Sequence, residues 1–175
     1  MSRGEIISES AVRFLRDFDA PRAKVWAFLT ESHLLAEWYG DGVIEPREGG
    51  KVSLMAGHIR GVVTGWQPER FLAYTWNAFQ PGESTASSSE AVGQTKVSAW
   101  PISYLELALE ETGQGTSLTL THRPIPEQMH KLTMIGWHTM LDMIAAGLKG
   151  EFPPRTEVMP RNAALYGVDL NALKR

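Results

Sequence analysis

Apolar residues recur along this chain at two different periods. Between residues 126 and 150 they return at helical spacing and form one stripe, made by Trp137, Leu141, Ile144 and Leu148. This spacing predicts one long amphipathic helix, about 37 Å in length if the whole segment is helical. Before it, apolar and polar residues alternate in short segments, which is typical of strands with one buried face. One helix against one curved sheet encloses a core that need not be filled, so the chain predicts a pocket.

The segments before the long helix predict seven strands and two short helices. The first strand covers residues 10–18, where Arg16 shares the expected buried face with Val12 and Phe14. Asp19-Ala20-Pro21 ends this strand, and two short apolar helices follow, the second carrying Trp38. Six further strands are expected at 43–47, 51–56, 58–66, 70–77, 104–110 and 116–122. Their short connections favour antiparallel neighbours.

Two segments do not fit this compact pattern. Residues 80–100 are rich in Ser and Gly, and we expect a long flexible loop that is either a lid or a disordered insertion. Residues 151–175 contain three prolines followed by a weakly amphipathic stretch. We expect this segment to be a C-terminal tail that docks on the domain or on a partner subunit. The predicted organisation is therefore a domain at 10–150 followed by a tail.

Composition and charge exclude several classes of function. The chain has 175 residues, of which 43% are hydrophobic and 21% charged, as in an ordinary single globular domain. Its net charge of -3 argues against generic binding to nucleic acid or to an anionic membrane. The absence of cysteine excludes disulfides, thiolate nucleophiles and Cys-ligated metals. Because neither a secretory signal nor a transmembrane run is visible, we expect a cytoplasmic protein.

The order of elements and a series of short matches between Arg16 and Gly150 resemble a known family. The matches include Phe18-Asp19-Ala20-Pro21, Val25-Trp26, Gly49-Gly50, Thr75-Trp76, Leu120-Thr121-His122 and Gly136-Trp137. Together they resemble the heat shock protein 90 ATPase activator-like branch of the START-related helix-grip (SRPBCC) superfamily. The resemblance implies an α+β helix-grip fold, in which a curved antiparallel sheet of six to seven strands wraps around a long C-terminal helix. It also implies an internal cavity and two short helices after the first strand.

Signatures of catalysis and of metal binding are absent from the sequence. Its paired glycines stand between predicted strands rather than before a helix, and no nucleophile elbow occurs. His130 and His138 lie eight residues apart without the ligand spacing of a zinc site. We therefore expect no catalytic residue, no metal and no cofactor.

Candidate ligand-binding residues follow from the parity of the strands. The inward sets of the sheet and the helix contribute Tyr74, Trp76, Leu105, Leu120, Met134, Trp137, His138 and Leu141. Parity is ambiguous in the strand at 58–66. Either His58 and Arg60 face inward at the mouth of the pocket, or Ile59 and Val63 do and the first two are surface groups.

Arg16 is the charge with the clearest expected role. A buried guanidinium needs a carboxylate or carbonyl partner, which Glu106 or Asp142 can supply. Alternatively, Arg16 orients a carboxylate or carbonyl of a ligand. His138 and Asp142 stand at i and i+4, so that Asp142 either fixes the histidine tautomer for acid–base chemistry or forms an ordinary helix pair.

Three functions are compatible with these residues. The first is non-enzymatic binding of a small hydrophobic or aromatic molecule in the cavity between sheet and helix. The alternatives are a protein-interaction (chaperone-associated) module and a cyclase- or hydrolase-type enzyme that uses Arg16, His58 or His138. A protein partner and a homodimer stay open, whereas nucleic acid and membrane are not expected as partners. The relatives implied by the resemblance are too diverse for the fold to decide.

Overall fold

A computed structural model describes residues 4–8, 10–78 and 102–170 of the chain. The described elements, in chain order, are β1 (Glu5–Ser8), β2 (Ala11–Phe18), α1 (Arg22–Thr30), α2 (Ser32–Trp38), β3 (Val43–Ile44), β4 (Lys51–Leu54), β5 (Ile59–Gln67), β6 (Phe71–Ala78), β7 (Ser103–Thr112), β8 (Gly115–Arg123), α3 (His130–Gly147) and α4 (Arg155–Leu165). The loop expected at 80–100 lies outside the described residues.

The strands form one antiparallel sheet in the order β1-β2-β8-β7-β6-β5-β4-β3. Together with α3 this sheet confirms the expected α+β helix-grip fold, but it has eight described strands rather than six or seven. The additional strand is β1, which pairs antiparallel with the start of β2. Its sequence contains two adjacent isoleucines, Ile6 and Ile7, and all four residues are exposed. A strand without a buried face has no alternation by which it could be recognised.

The core lies between the inner face of the sheet and α3. In β7 the buried residues are Ser103, Leu105, Leu107 and Leu109, and in β8 they are Thr116, Leu118, Leu120, Thr121 and His122. Every second residue of β7 from Ser103 to Leu109 is therefore buried on the inner face of the sheet, as the alternation predicts. Leu72 and Tyr74 of β6 are buried as well.

The long helix is shorter than the segment predicted for it, residues 126–150. A 3₁₀ turn at Glu127–Met129 follows the extended Pro126, and α3 begins only at His130. Trp137, Leu141 and Ile144 are buried on the side of the helix that faces the core. Near its other end, Gly147 allows α3 to approach α1 closely, because a Cβ there would lie 2.6 Å from the ring of Phe28. Within the described residues, no helix is long and apolar enough to cross a membrane.

The segment expected to be a tail contains α4, which packs against α3. Val158 and Ala163 of α4 are buried, whereas most of its other residues are partly or fully exposed. The expectation that this segment docks on the domain is met by the single chain, because α4 covers one side of α3. Whether it also contacts a second subunit stays a prediction.

Candidate functional site

Five aromatic side chains meet where the end of α2 approaches the sheet and α3. We call Tyr39, Tyr74, Trp76, His122 and Trp137 the aromatic cluster. The ring centroids of Trp76 and His122 are 5.0 Å apart, and those of His122 and Trp137 are 5.9 Å apart. Tyr39 lies 5.9 Å from Trp137 in the same edge-on arrangement. Edge-on contacts at these distances are favourable and hold the rings in defined orientations.

A chain of hydrogen bonds ties the cluster to three neighbouring strands. Trp137 Nε1 donates to His122 Nδ1 at 3.0 Å, and His122 Nε2 lies 2.8 Å from Ser103 Oγ. Ser103 Oγ in turn donates to the backbone carbonyl of Trp76 at 2.9 Å. Because an indole N–H can only donate, Nδ1 of the neutral imidazole must accept, and the proton is on Nε2. His122 therefore donates to Ser103 and cannot act as a base toward its hydroxyl.

The titratable groups of the aromatic cluster are neutral at physiological pH. Burial lowers the pKa of His122 to about 3. Burial also raises the pKa of Tyr39 to about 12 and that of Tyr74 well above its ordinary value. The Tyr39 hydroxyl accepts a hydrogen bond from Trp76 Nε1 at 2.7 Å and is hydrogen-bonded to Tyr74. The cluster thus presents aromatic surface whose polar atoms already have partners.

A second polar group lies on the side of α3 that α4 covers. We call Asp142, Arg16, His138, Arg161 and Asn162 the Asp142 cluster. Asp142 Oδ1 receives Arg16 Nη2 at 2.7 Å, and Oδ2 receives Arg161 Nη2 and Asn162 Nδ2, both at 3.1 Å. Burial raises the pKa of Asp142, but the hydrogen bond from Asn162 and the charge of Arg16 outweigh it, so the pKa is lowered overall.

Arg16 therefore has a carboxylate partner inside the protein. Of the two carboxylates considered from the sequence, the partner is Asp142, while Glu106 lies 3.2 Å from Arg123 on another part of the surface. Both Asp142 oxygens are taken by the protein's own donors. This geometry corresponds to a structural ion pair, and the role of Arg16 as a ligand contact stays a prediction.

His138 is buried within the Asp142 cluster. Its Nε2 lies 3.8 Å from Asp142 Oδ2, and its Nδ1 lies 3.1 Å from the hydroxyl of Tyr166, which follows α4. The ring also approaches Phe14, at a centroid distance of 6.2 Å. Arg16 and His138 thus converge on a carboxylate that α4 covers, away from the hydrogen bonds of the aromatic cluster.

His58 and Arg60 do not share the buried face of β5. Ile59, Val63 and Gly65 are the buried residues there, so the structure decides the open parity against an inward position for His58 and Arg60. Arg60 Nε donates to the carbonyl of Gly57 at 2.9 Å, within the turn that precedes β5. The physical reason is that successive side chains of a strand point to opposite faces, so only one of the two sets can be buried. Burial of the apolar Ile59 and Val63 is more favourable in free energy than burial of a set that contains Arg60.

The remaining candidates all belong to the core. Leu105, Leu120, Leu141, Met134 and Trp137 are each at most 7% exposed, and Trp76 packs on them while only partly buried. Contact of these residues with a ligand stays a prediction. Sequence reasoning did not assign Tyr39, Ser103 or His122. The parity shared with Leu105 and Leu120 indicates Ser103 and His122, but Tyr39 follows a helix end, where no periodicity applies.

The fold and the site define a helix-grip domain with an aromatic core between sheet and helix. Residues 19–149 match the family described as "Activator of Hsp90 ATPase homolog 1-like protein". The chain belongs to this family. No curated protein matches it.

Several solved structures share the fold. CalU16 from Micromonospora echinospora is 26% identical with a TM-score of 0.65, and the match covers 95% of each chain. DynU16, a protein in the dynemicin biosynthetic locus, is 18% identical with a TM-score of 0.66, over 83% of this chain and 49% of its own. PFC0360w, an HSP90 activator from Plasmodium falciparum, is 19% identical with a TM-score of 0.52, over 67% of this chain and 74% of its own. The last two show the fold alone.

Proposed function

We propose that this protein binds a small hydrophobic or aromatic molecule between the sheet and α3, without converting it chemically. The observation that carries the proposal is the neutral aromatic cluster, in which the polar atoms of Trp76, Trp137 and His122 are already hydrogen-bonded. The aromatic cluster offers a ligand the faces and edges of its rings, which favour apolar and aromatic partners.

The cluster also extends toward the surface. Met55, Trp76 and Ala78 pack on the core but are only partly buried. Ala78 pairs with Ile59, and Gly40, next to Tyr39, lies against the backbone of Met55. Partly exposed apolar side chains next to a buried aromatic wall are what a ligand entering between sheet and helix would contact first.

The protonation states support binding rather than catalysis. A general base that works near neutral pH needs a pKa close to that pH. The pKa of His122 lies near 3 and that of Tyr39 near 12, so neither group exchanges a proton readily at pH 7. The fixed tautomer of His122 removes the remaining route, in which it would activate Ser103.

A protein-interaction module is the second candidate. Leu15, Val62, Ile102 and Tyr104 are large hydrophobic residues that are 44–57% exposed. An activator of Hsp90 also shares the fold. These exposed residues belong to different segments of the chain, so the aromatic cluster carries the leading proposal.

The proposal is tested by titration with the fluorescent probe anilinonaphthalene sulfonate (ANS). Native mass spectrometry of the purified protein would show in parallel whether an apolar molecule is carried along. We expect the Trp76→Ala variant to bind ANS about tenfold more weakly, equivalent to about 1.4 kcal/mol, because it removes one wall of the cluster. The matched control is Trp66→Ala, since Trp66 is also partly buried but packs against Trp26 at a centroid distance of 5.1 Å. Equal loss of affinity in both variants, or no saturable binding to the wild type, would contradict the proposal.

A further inference from the structure

The end of α2 is held by a residue from a distant part of the chain. The last carbonyls of a helix have no partner within it and need an outside donor. Arg155 Nη2 donates to the carbonyl of Trp38 at 2.8 Å and to that of Tyr39 at 3.3 Å. A guanidinium at this position also interacts favourably with the negative end of the helix dipole.

Arg155 is the first residue of α4, and the contacts that dock α4 on the domain hold it in place. Further along α4, Val158 is buried, and Asn162 donates to Asp142 of α3 at 3.1 Å. Burial lowers the pKa of Arg155, in keeping with a guanidinium withdrawn from water between two elements. The position of the guanidinium thus depends on how α4 docks on α3.

Tyr39 is one of the two residues whose carbonyls accept a hydrogen bond from Arg155, and it contacts other members of the aromatic cluster. The ring of Tyr39 lies 4.8 Å from that of Trp38 and 5.9 Å from that of Trp137. Its hydroxyl accepts the hydrogen bond from Trp76 Nε1 at 2.7 Å. A shift of the Tyr39 backbone therefore moves the acceptor of Trp76 and one wall of the proposed site together.

We propose that Arg155 is a positioning residue for the aromatic cluster, so that α4 takes part in shaping the ligand site. The ligand part of this inference rests on the proposed function, whereas the positioning of Tyr39 and Trp76 does not. α4 lies beyond residues 19–149, which match the family, so the inference concerns a segment outside the matched residues.

The experiment compares Arg155→Gln with Val158→Ala. Both variants weaken the docking of α4, but only the first releases the carbonyls of Trp38 and Tyr39. The indole N–H signal of Trp76 in the proton NMR spectrum, assigned by its loss in Trp76→Phe, reports the hydrogen bond to Tyr39. ANS affinity reports the site. We expect Arg155→Gln to shift the indole signal and to weaken ANS binding about threefold or more, while Val158→Ala, which keeps the guanidinium, changes both clearly less.

A second variant covers the case in which Arg155→Gln does not fold. Arg155→Lys keeps a charged donor, and we expect its indole signal and its ANS affinity to lie between those of the wild type and those of Arg155→Gln. If Arg155→Gln is unfolded, we expect both values for Arg155→Lys to lie near those of the wild type. An unchanged indole signal in Arg155→Gln, a wild-type indole signal in a poorly binding variant, or equal shifts in Val158→Ala would overturn the inference. If wild-type protein does not bind ANS, the proposed function fails, and the indole signal still decides the role of Arg155.

Discussion

Several buried polar side chains among the described residues are hydrogen-bonded to one another in a short chain. Ser103, His122 and Trp137 are the clearest case, because each donor has a defined acceptor and the direction of every bond follows from the indole N–H. A chain of this kind contributes to stability chiefly because breaking it leaves a buried polar atom without a partner. Its members should therefore be far less tolerant of substitution than surface residues of the same type.

Replacement of Ser103 by alanine tests this chain. The variant leaves the Nε2–H of His122 and the carbonyl of Trp76 without their partner, and we expect a loss of about 1–3 kcal/mol in the free energy of unfolding. Urea denaturation measures it. Ser53→Ala on the exposed side of β4 is the control, with an expected change within about 0.5 kcal/mol. A loss no larger than that of the control would mean that the chain does not stabilise the fold.

The low pKa of His122 predicts a stability that falls with acidification. The folded pKa, about 3, lies below the ordinary value of 6.5, so below about pH 6.5 the unfolded chain gains a proton that the folded one does not. Stability should fall by up to about 1.4 kcal/mol per pH unit toward pH 3. The lowered pKa of Asp142 adds a loss only below about pH 4, because its carboxylate stays ionised above that.

Urea denaturation at about pH 7 and about pH 4.5 compares the stability above and below the ordinary pKa of histidine. We expect the difference between the two conditions to shrink in His122→Gln, which cannot take up a proton. The exposed His33 supplies the control, and His33→Gln should keep the wild-type dependence. An undiminished difference in His122→Gln would assign the acid sensitivity to other groups.

At the scale of elements, Asp142 joins three of them. Arg16 comes from β2, Asp142 from α3, and Arg161 and Asn162 from α4, so one carboxylate connects sheet, helix and C-terminal segment. The two arginines differ in burial: their side chains are 13% and 62% exposed, respectively. Removing one partner of a buried ion pair costs more stability because it leaves the other charge buried and unpaired. An exposed pair contributes less because water screens its charges.

Matched substitutions separate these two pairs. We expect Arg16→Met to lower the free energy of unfolding by about 2–4 kcal/mol, because it removes the closest countercharge of a buried carboxylate. Arg161→Met should cost at most about 1 kcal/mol. Thermal and urea denaturation of both variants measure the difference. Similar costs for the two would show that Arg16 contributes no more than a surface ion pair.

At the scale of the whole molecule, α4 closes one side of the structure. It holds the end of α2 through Arg155 and the middle of α3 through Asn162, and the hydroxyl of Tyr166 accepts a hydrogen bond from the backbone of Gly4 at 3.2 Å. Segments from both ends of the described chain thus meet next to α3. The sheet and α3 supply most of the core, to which α4 adds Val158, so we expect a chain that folds without α4 but is less stable.

Truncation after Gly150 tests the contribution of α4. Removing Val158 and Ala163 uncovers apolar surface of α3, and Asp142 loses two donors, so we expect a loss of about 2–4 kcal/mol in the free energy of unfolding. The far-ultraviolet circular dichroism should keep the signature of sheet and helix. Unchanged stability would show that α4 does not brace the core, and complete unfolding would show that it belongs to the core itself.

Many of the elements could be predicted from short-range periodicity. The inner positions of Leu105 and Leu120 and the apolar stripe of Trp137 and Leu141 were predicted from alternation and helical spacing, and all four are buried. β1 escaped prediction because Ile6 and Ile7 are adjacent and both exposed, which leaves no period to recognise. Only part of the candidate site could be predicted, because parity shows which residues face inward but not which of them meet.

Contacts between residues that are distant in the sequence were decided by the tertiary structure. Arg16 and its partner Asp142 are 126 positions apart, and either Glu106 or Asp142 satisfied the electrostatic requirement until the packing of α3 on β2 selected one. The direction of His58 and Arg60 depended on the register of β5 against its neighbours, and the tautomer of His122 on the approach of Trp137. Local spacing determined the elements and their buried faces because each residue's burial repeats with the backbone geometry. Contacts across the core were left to the fold because they depend on how whole elements pack, which no local spacing records.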